Sequence, residues 1–467
     1  MGLKLASTFA ITALFGLVFA VVFLIGVWFL PLAWWSLLLM VGLTFGIVLL
    51  QYGISPYIIQ WIYDIDWMPY EAYIQKYPHL GEVLEKVVQV QEIKNPRVGI
   101  IHDLNPNAFT FGHTKNNARI VLTDGILHYL DKEEQKAVLA HELGHVIHSD
   151  FILMTIVFAI PLVLLTIARW AYYAGYFSRG RSKDSGKAGV ILLVIALVSY
   201  ISYIIGYLIS LIISRIREYY ADEHSAEVLE NPNALSTALV KIGYGLVKDQ
   251  PGKDIKERNK SKVRATRGLG IFDPSQAKAL AIASVGQAGT FSREAIEATA
   301  AWDLYNPWAK YYQIYSTHPL PAKRIQRLNE QCEIYGLQPE IDFSQAERIK
   351  EEQAGKSLWG EFLTDLFIKA LPSVVFIIFV IISVLWLIAG VGLFFLPIIS
   401  TLSFQNFVLM WVIAFYLIGF GFIIRTKFMY RSGFEPKSIV ELLMNVKASP
   451  IRCEPAILEG TIVGKGI

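Results

Sequence analysis

Between Lys4 and Asp64 the chain carries no charged side chain, and Pro31 divides that run into two apolar stretches, Phe9–Leu30 and Leu32–Tyr52. A helix needs about 20 consecutive apolar residues to cross a bilayer, so the pattern predicts two spans joined by a tight turn. A signal peptide is the competing reading of the first stretch. Its apolar run is too long for one, and no small-x-small cleavage site follows. Four more runs repeat the pattern: Phe151–Tyr176, Val190–Ile213, Ala370–Ile399 and Phe404–Ile424. Six crossings in three hairpins are therefore expected. The alternative for the middle pair is a buried hairpin in a soluble domain, but each run passes the spanning length.

The crossings divide the chain into an N-terminal hairpin (1–54), a first polar half (55–150), a middle hairpin (151–213), a second polar half (214–369), a C-terminal hairpin (370–424) and a tail (425–467). An even count puts both polar halves and both termini on one face. Lys4, Arg215, Arg217, Lys369, Arg425, Lys427 and Arg431 lie near span ends on that face. The other face carries Arg179, Arg181, Lys183 and Lys187. The bias of basic residues towards the inner side then makes the polar face cytoplasmic.

Within the polar halves the pattern is that of a folded domain. Val98–His102 and Arg119–Thr123 read as short strands around the turn-prone Asn105-Pro106-Asn107. Asp131 followed by Glu134 is a capping-box pair that starts a helix. Ala137, Val138 and Leu143 then recur at helical spacing. Helical patterning continues from Ile213 through Ser214–Glu230, and a new helix is expected after Asn231-Pro232. Ala456–Ile467 alternates like a strand, as at the start of a further small β domain.

Composition agrees with this picture: 54% of residues are hydrophobic and only 17% charged, against about 25% charged in average soluble domains. Aromatic content of 13% and a net charge of +3 are the reverse of a disordered chain. Cys332 and Cys453 are too few for a disulfide framework or a cysteine metal cluster. So slight a basic excess gives no reason to expect nucleic acid as a partner. Seven Lys and Arg residues between Lys253 and Arg267 read as a solvated loop, with contact to anionic lipid head groups as the functional alternative.

The candidate chemistry lies on the Asp131 helix. His141-Glu142-Leu143-Gly144-His145 is HExxH: histidines four apart share one helix side and can reach one metal ion, with Glu142 displaced towards water. Zinc fits such a donor set, because it accepts two imidazoles and a carboxylate and leaves a fourth position open. A third ligand is needed, and the HExxHxxGxxH solution is absent. His148, one turn further on, is expected at the surface or membrane interface. Glu218 and Asp222 share one face of the helix that follows the fourth span. Glu218 can then bind the metal while Asp222 accepts a hydrogen bond from a ligating histidine. The hairpin returns both motifs to the same membrane face.

With these residues the chain resembles the HtpX-type membrane zinc metalloproteases, relatives of the CAAX prenyl endopeptidases. Four blocks carry the resemblance: Pro106-Asn107-Ala108-Phe109; Val121–Leu127 leading into Ala140–His145; Ser214–Asp222; and Thr317-His318-Pro319 with Arg324-Ile325. They span residues 90 to 330, so the C-terminal hairpin and tail lie beyond the match. The resemblance implies one Zn²⁺ per chain on His141, His145 and Glu218, with Glu142 as general base and Asp222 behind the ligands. It implies that Asn107, Ala108 and Phe109 border the substrate cleft, that His318 stabilises the oxyanion, and that Arg324 anchors its segment through a carboxylate such as Asp222. The expected fold is mostly α: a multi-pass helical membrane protein with a zincin-like α+β metalloprotease domain on one membrane face. The expected activity is a zinc endopeptidase of the cell (inner or plasma) membrane, acting on membrane or misfolded polypeptides. A processing protease for a lipidated or prenylated substrate and a non-catalytic scaffold are the alternatives. An intact Glu142 argues against the scaffold.

Overall fold

The computed structural model describes residues 34–177, 183–248, 300–354, 357–390, 404–430, 433–437, 441–442 and 445–459. The expected span Phe9–Leu30, the end of the fifth span, the basic stretch Lys253–Arg267 and residues 460–467 lie outside the described residues.

Helix α1 (Trp34–Ile62) covers the expected second span from Trp34 onwards and continues past it into the first polar half. There the chain forms β1 (Asp66–Met68), α2 (Tyr70–Lys76), α3 (Pro78–Val90), β2 (Arg97–Ile101), β3 (Ala108–Gly112), β4 (Ala118–Thr123), α4 (Asp124–Tyr129) and α5 (Lys132–Ile147). The four strands make one sheet in the order β1-β2-β4-β3. β2 and β4 are parallel, with Val98 opposite Ile120 and Ile100 opposite Leu122. β3 returns antiparallel to β4, with Ala108 opposite Leu122, which leaves β3 at the sheet edge. All six residues of β4 are buried, as expected of a strand covered on both faces. Leu80 and Leu84 of α3, Ile100, Ile120 and Leu122 of the sheet, and Val138 and Leu139 of α5 meet in the main core.

Then come the long helices α6 (Asp150–Phe177) and α7 (Lys183–Leu229), followed by α8 (Pro232–Lys248). α7 is a single helix of 47 residues, about 70 Å long at 1.5 Å per residue. It has no break at residue 213, where the sequence turns from apolar to polar. α6 and α7 pack along each other, and the Ser210 hydroxyl of α7 donates to the Val157 carbonyl of α6 at 2.9 Å. Helices α9 (Pro307–Ile314), α10 (Pro321–Cys332) and α11 (Ser344–Ala354) complete the second polar half. α12 (Trp359–Gly390) and α13 (Phe404–Met429) follow. Four helices among the described residues, α6, α7, α12 and α13, are long and apolar enough to cross a membrane.

After α13 the tail folds back onto the second polar half. Short strands β5 (Glu435–Pro436) and β6 (Ala456–Ile457) pair in parallel. Asn306 caps α9 by accepting from Trp308 N at 2.7 Å. Its amide group meanwhile donates to the carbonyls of Val446 and Ala448, at 2.5 and 3.0 Å. Arg452 holds both the fully buried Asp365 (2.9 Å) and Glu361 (2.7 Å) at the start of α12.

Candidate metal centre

The helix that carries HExxH is set by its own ends. Asp131 accepts from Glu133 N and Glu134 N, and the Glu134 side chain returns to Asp131 N at 2.9 Å, so both halves of the capping box form. Four residues along α5 bring the two imidazoles side by side, with ring centroids 4.9 Å apart and planes near perpendicular. α7 crosses α5 at Gly144. A Cβ there would lie 3.0 Å from Ala221 Cα, so only glycine allows this approach without displacing the neighbouring helix. The close crossing delivers Glu218. Its Oε2 stands 3.7 Å from His141 Nε2, and its Oε1 stands 3.7 Å from His145 Nε2.

His141, His145 and Glu218 each present one donor atom within 4.8 Å of the others. Tetrahedral ligands about 2.1 Å from one ion would stand about 3.4 Å apart, close to the separations found. His141 Nε2 and Glu218 Oε2 are buried without a hydrogen-bond partner. Such orphaned atoms are costly unless a further group binds them. The donor set therefore fits a divalent cation such as zinc.

Behind the cluster each histidine has its own carboxylate. His141 Nδ1 lies 3.0 Å from Asp222 Oδ1, which fixes the tautomer that turns Nε2 towards Glu218. Arg324, fully buried, grips Asp222 with two hydrogen bonds of 2.9 and 2.6 Å, and its third nitrogen lies 3.5 Å from Glu218. On the other side His145 Nδ1 meets Asp150 Oδ2 at 2.7 Å, and Arg217 Nε donates to Asp150 Oδ1 at 2.5 Å. Asp150 and Arg217 were not singled out from the sequence as part of this site. The signals were an acid five residues past His145 and a base next to Glu218. Burial alone would depress the pKa of His145, but the Asp150 hydrogen bond and the charge of Glu218 outweigh it and hold the ring at about 9. The same negative surroundings favour a bound cation.

Glu142 is buried, and burial pushes its carboxyl pKa up against the opposing pull of His145, His141 and the Thr110 hydroxyl. Thr110 Oγ1 donates to Glu142 Oε2 at 2.7 Å. His318 reaches the cluster from the segment after α9. Its backbone is pinned to Ser316, its Nδ1 lies 2.9 Å from Thr317 Oγ1, and its Nε2 lies 3.4 Å from Glu218 Oε1. Arg215 of α7 holds that segment by donating to the Gln313 and Ser316 carbonyls, both at 2.7 Å.

Two expectations shift. A cavity of about 400 Å³ beside the cluster is lined by Thr110, Phe111 and Gly112, whereas Asn107, Ala108 and Phe109 are not among its lining residues. Ala108 and Phe109 are buried in the core, and Asn107 is tied by its N–H to Thr123 Oγ1, so the cavity meets the far half of β3. His148 is half-buried, not exposed, with its ring against Tyr220 and His224. Burial and the charge of Arg217 lower its pKa.

Residues 75–332 match the family model described as peptidase family M48. A protease HtpX homolog of Methanothermobacter thermautotrophicus is 38% identical over 257 residues, covering 54% of this chain and 90% of that protein. Protease HtpX homologs of Thermococcus sibiricus and Pyrococcus furiosus are 30% and 31% identical, over 56% and 54% of this chain and 76% and 73% of theirs. No solved structure matches the chain. The matched region holds the HExxH helix, Glu218 and His318, joined through two of the membrane-length helices, and on this evidence the chain belongs to peptidase family M48, among the membrane metalloproteases of the HtpX type.

Proposed function

We propose that the protein is a zinc endopeptidase that hydrolyses membrane or misfolded polypeptides at the cytoplasmic face of the cell membrane, with His141, His145 and Glu218 as the zinc ligands. One observation carries the reading: the buried donor atoms His141 Nε2 and Glu218 Oε2 lack hydrogen-bond partners inside a cluster of ligand spacing. Bound there, zinc supplies Lewis-acid polarisation of the scissile carbonyl and a lowered pKa for water.

The chain's own residues do the rest. Glu142 takes the proton of the attacking water and returns it to the leaving amine, and its raised pKa suits it to both tasks. Thr110 holds that carboxylate in one orientation. His318 Nε2 donates to the oxyanion as it forms, a role worth several kcal/mol in acyl transfer. Asp222 and Asp150 keep the ligand histidines in the tautomer that leaves Nε2 free, and Arg324 and Arg217 hold those carboxylates in turn. β3 sits at the edge of the sheet and offers its free side to an extended substrate backbone. A sheet with an edge strand over the metal-binding helix suits a zincin-like arrangement.

Metal analysis of the purified protein, combined with casein digestion with and without a chelator, tests the reading. One equivalent of zinc and chelator-sensitive cleavage are expected. Cleavage by metal-free protein would overturn it.

A further inference from the structure

We propose that the cavity beside the metal cluster is a trough for the apolar, membrane-anchored segment of a substrate polypeptide, so that cleavage falls next to a transmembrane stretch. The inference rests on the peptidase reading above and adds where the substrate lies.

At one end the cavity is lined by Glu142, His145, Glu218 and His318. Away from the cluster its walls are two helix faces. On α6 they are Phe151, Met154, Thr155, Phe158, Ala159 and Leu162, whose spacings of three and four make a single stripe. That stripe runs three turns, about 16 Å at 1.5 Å per residue. On α1 the lining residues are Val48, Tyr52, Ser55 and Ile59, again spaced by four and three. Two such stripes facing one cavity form a trough between the helices. Among the described residues, Tyr52, Ser55 and Thr155 are the polar side chains of these two stripes, and Asp150 lines the cavity at the cluster end of α6.

α6 is among the helices long and apolar enough to cross a membrane, so the trough descends from the cluster into the apolar layer. Its mouth is fixed by a reciprocal tie. The Tyr52 hydroxyl donates to the His113 carbonyl, and His113 Nε2 donates to the Gly53 carbonyl at 3.0 Å. This joins the α1 wall to the end of β3. A peptide paired along β3 therefore passes the cluster and meets the trough as its own continuation.

The occupant must present a backbone at one end and apolar side chains at the other. A polar chain would lose hydration along the trough without recovering hydrogen bonds. A lipid acyl chain satisfies only the apolar end. An anchored polypeptide satisfies both.

The experiment compares two substrates with one shared cleavable sequence, one water-soluble and one joined directly to a transmembrane segment. The zinc-loaded full chain is used in phosphatidylcholine vesicles. The unsubstituted protein is expected to favour the anchored substrate in kcat/KM. Ala159→Phe and Val48→Phe fill the trough from opposite walls, and each is expected to lower that preference about tenfold, mainly through KM, with zinc content retained. Ile156→Phe, on an exposed position of α6 outside the trough, is expected to preserve it. A preference that survives both fillings, or that falls equally with Ile156→Phe, overturns the proposal. A photoreactive residue at position 159 in a Glu142→Gln background gives a readout without turnover. Capture of the anchored substrate is expected, and capture of lipid alone would assign the trough to acyl chains and overturn the proposal. Equal cleavage of both substrates overturns the inference but spares the peptidase reading, whereas cleavage of neither sinks both.

Discussion

At the scale of single residues, the site depends on groups that hold the ligands as much as on the ligands. Glu218→Ala removes a donor of the cluster, and zinc content, read by atomic absorption, should collapse with activity. Asp222→Ala and Asp150→Ala remove only orienting acceptors, for which a loss of roughly 10–100-fold in zinc affinity is expected. His148→Ala should leave stoichiometry unchanged, because the ring packs on Tyr220 and His224 and not in the cluster. Zinc lost from the His148 variant but kept by the Glu218 variant would reassign the third ligand. Glu142→Gln keeps the shape of the side chain, so zinc should stay while turnover falls at least about a hundredfold; undiminished peptidase activity would exclude Glu142 as the base. His141, Glu142 and His145 were legible because their relation is local, four residues on one helix. Glu218 and Asp222 needed only the further step that a hairpin returns to its own membrane face. Asp150, Arg217 and Thr110 were not legible as site residues. An acid after a helix end or a threonine in a strand has many ordinary uses, and the partners here are supplied by the fold. The motif around Asn107 points to the start of β3, whereas the cavity beside the cluster is lined by Thr110, Phe111 and Gly112 further along it.

Among the elements, the crossing of α5 and α7 decides whether the cluster exists. Gly144→Val places a branched side chain where even a Cβ would stand 3.0 Å from Ala221 Cα and 3.2 Å from His224 Cβ. The helices must part, and zinc affinity should fall more steeply than helix content by circular dichroism; unchanged affinity would show that the crossing yields at no cost to the site. The continuity of α7 was readable, since neither proline nor glycine interrupts the chain between Gly206 and Leu229. The capping box of α5 was readable for the same local reason. β1 was not, because the three residues Asp66–Met68 are too few to establish alternation and owe their conformation to pairing with β2. Nor was the docking of the tail on α9, which joins residues 140 positions apart. Asn306→Ala removes the cap of α9 and its grip on the tail together. A cap alone is worth about 1 kcal/mol, so faster amide exchange is expected across both α9 and residues 445–452. Exchange confined to α9 would mean that the tail is held without Asn306.

For the whole molecule, the expected arrangement of two polar halves on one face is open to direct labelling. Cys332 is buried and Cys453 exposed, so the experiment starts from a chain in which Cys453 has been replaced by serine. Cysteines at Lys132 and Glu333 should then react from one side of sealed vesicles, and one at Lys183 from the other. Reaction of all three from one side would rule out a spanning middle hairpin. The clasp between the tail and α9 has a consequence in time. A chain is made from its N-terminus, and the carbonyls that Asn306 holds, those of Val446 and Ala448, emerge about 130 residues after His318. At about 5–20 residues per second that interval is on the order of ten seconds. During it HExxH and Glu218 already exist in the nascent chain, while Asn306 has yet to meet the carbonyls it holds. The order of biosynthesis thus sets the tail's grip on α9 well after the metal-binding motifs have been made, so the second polar half acquires its last clasp late.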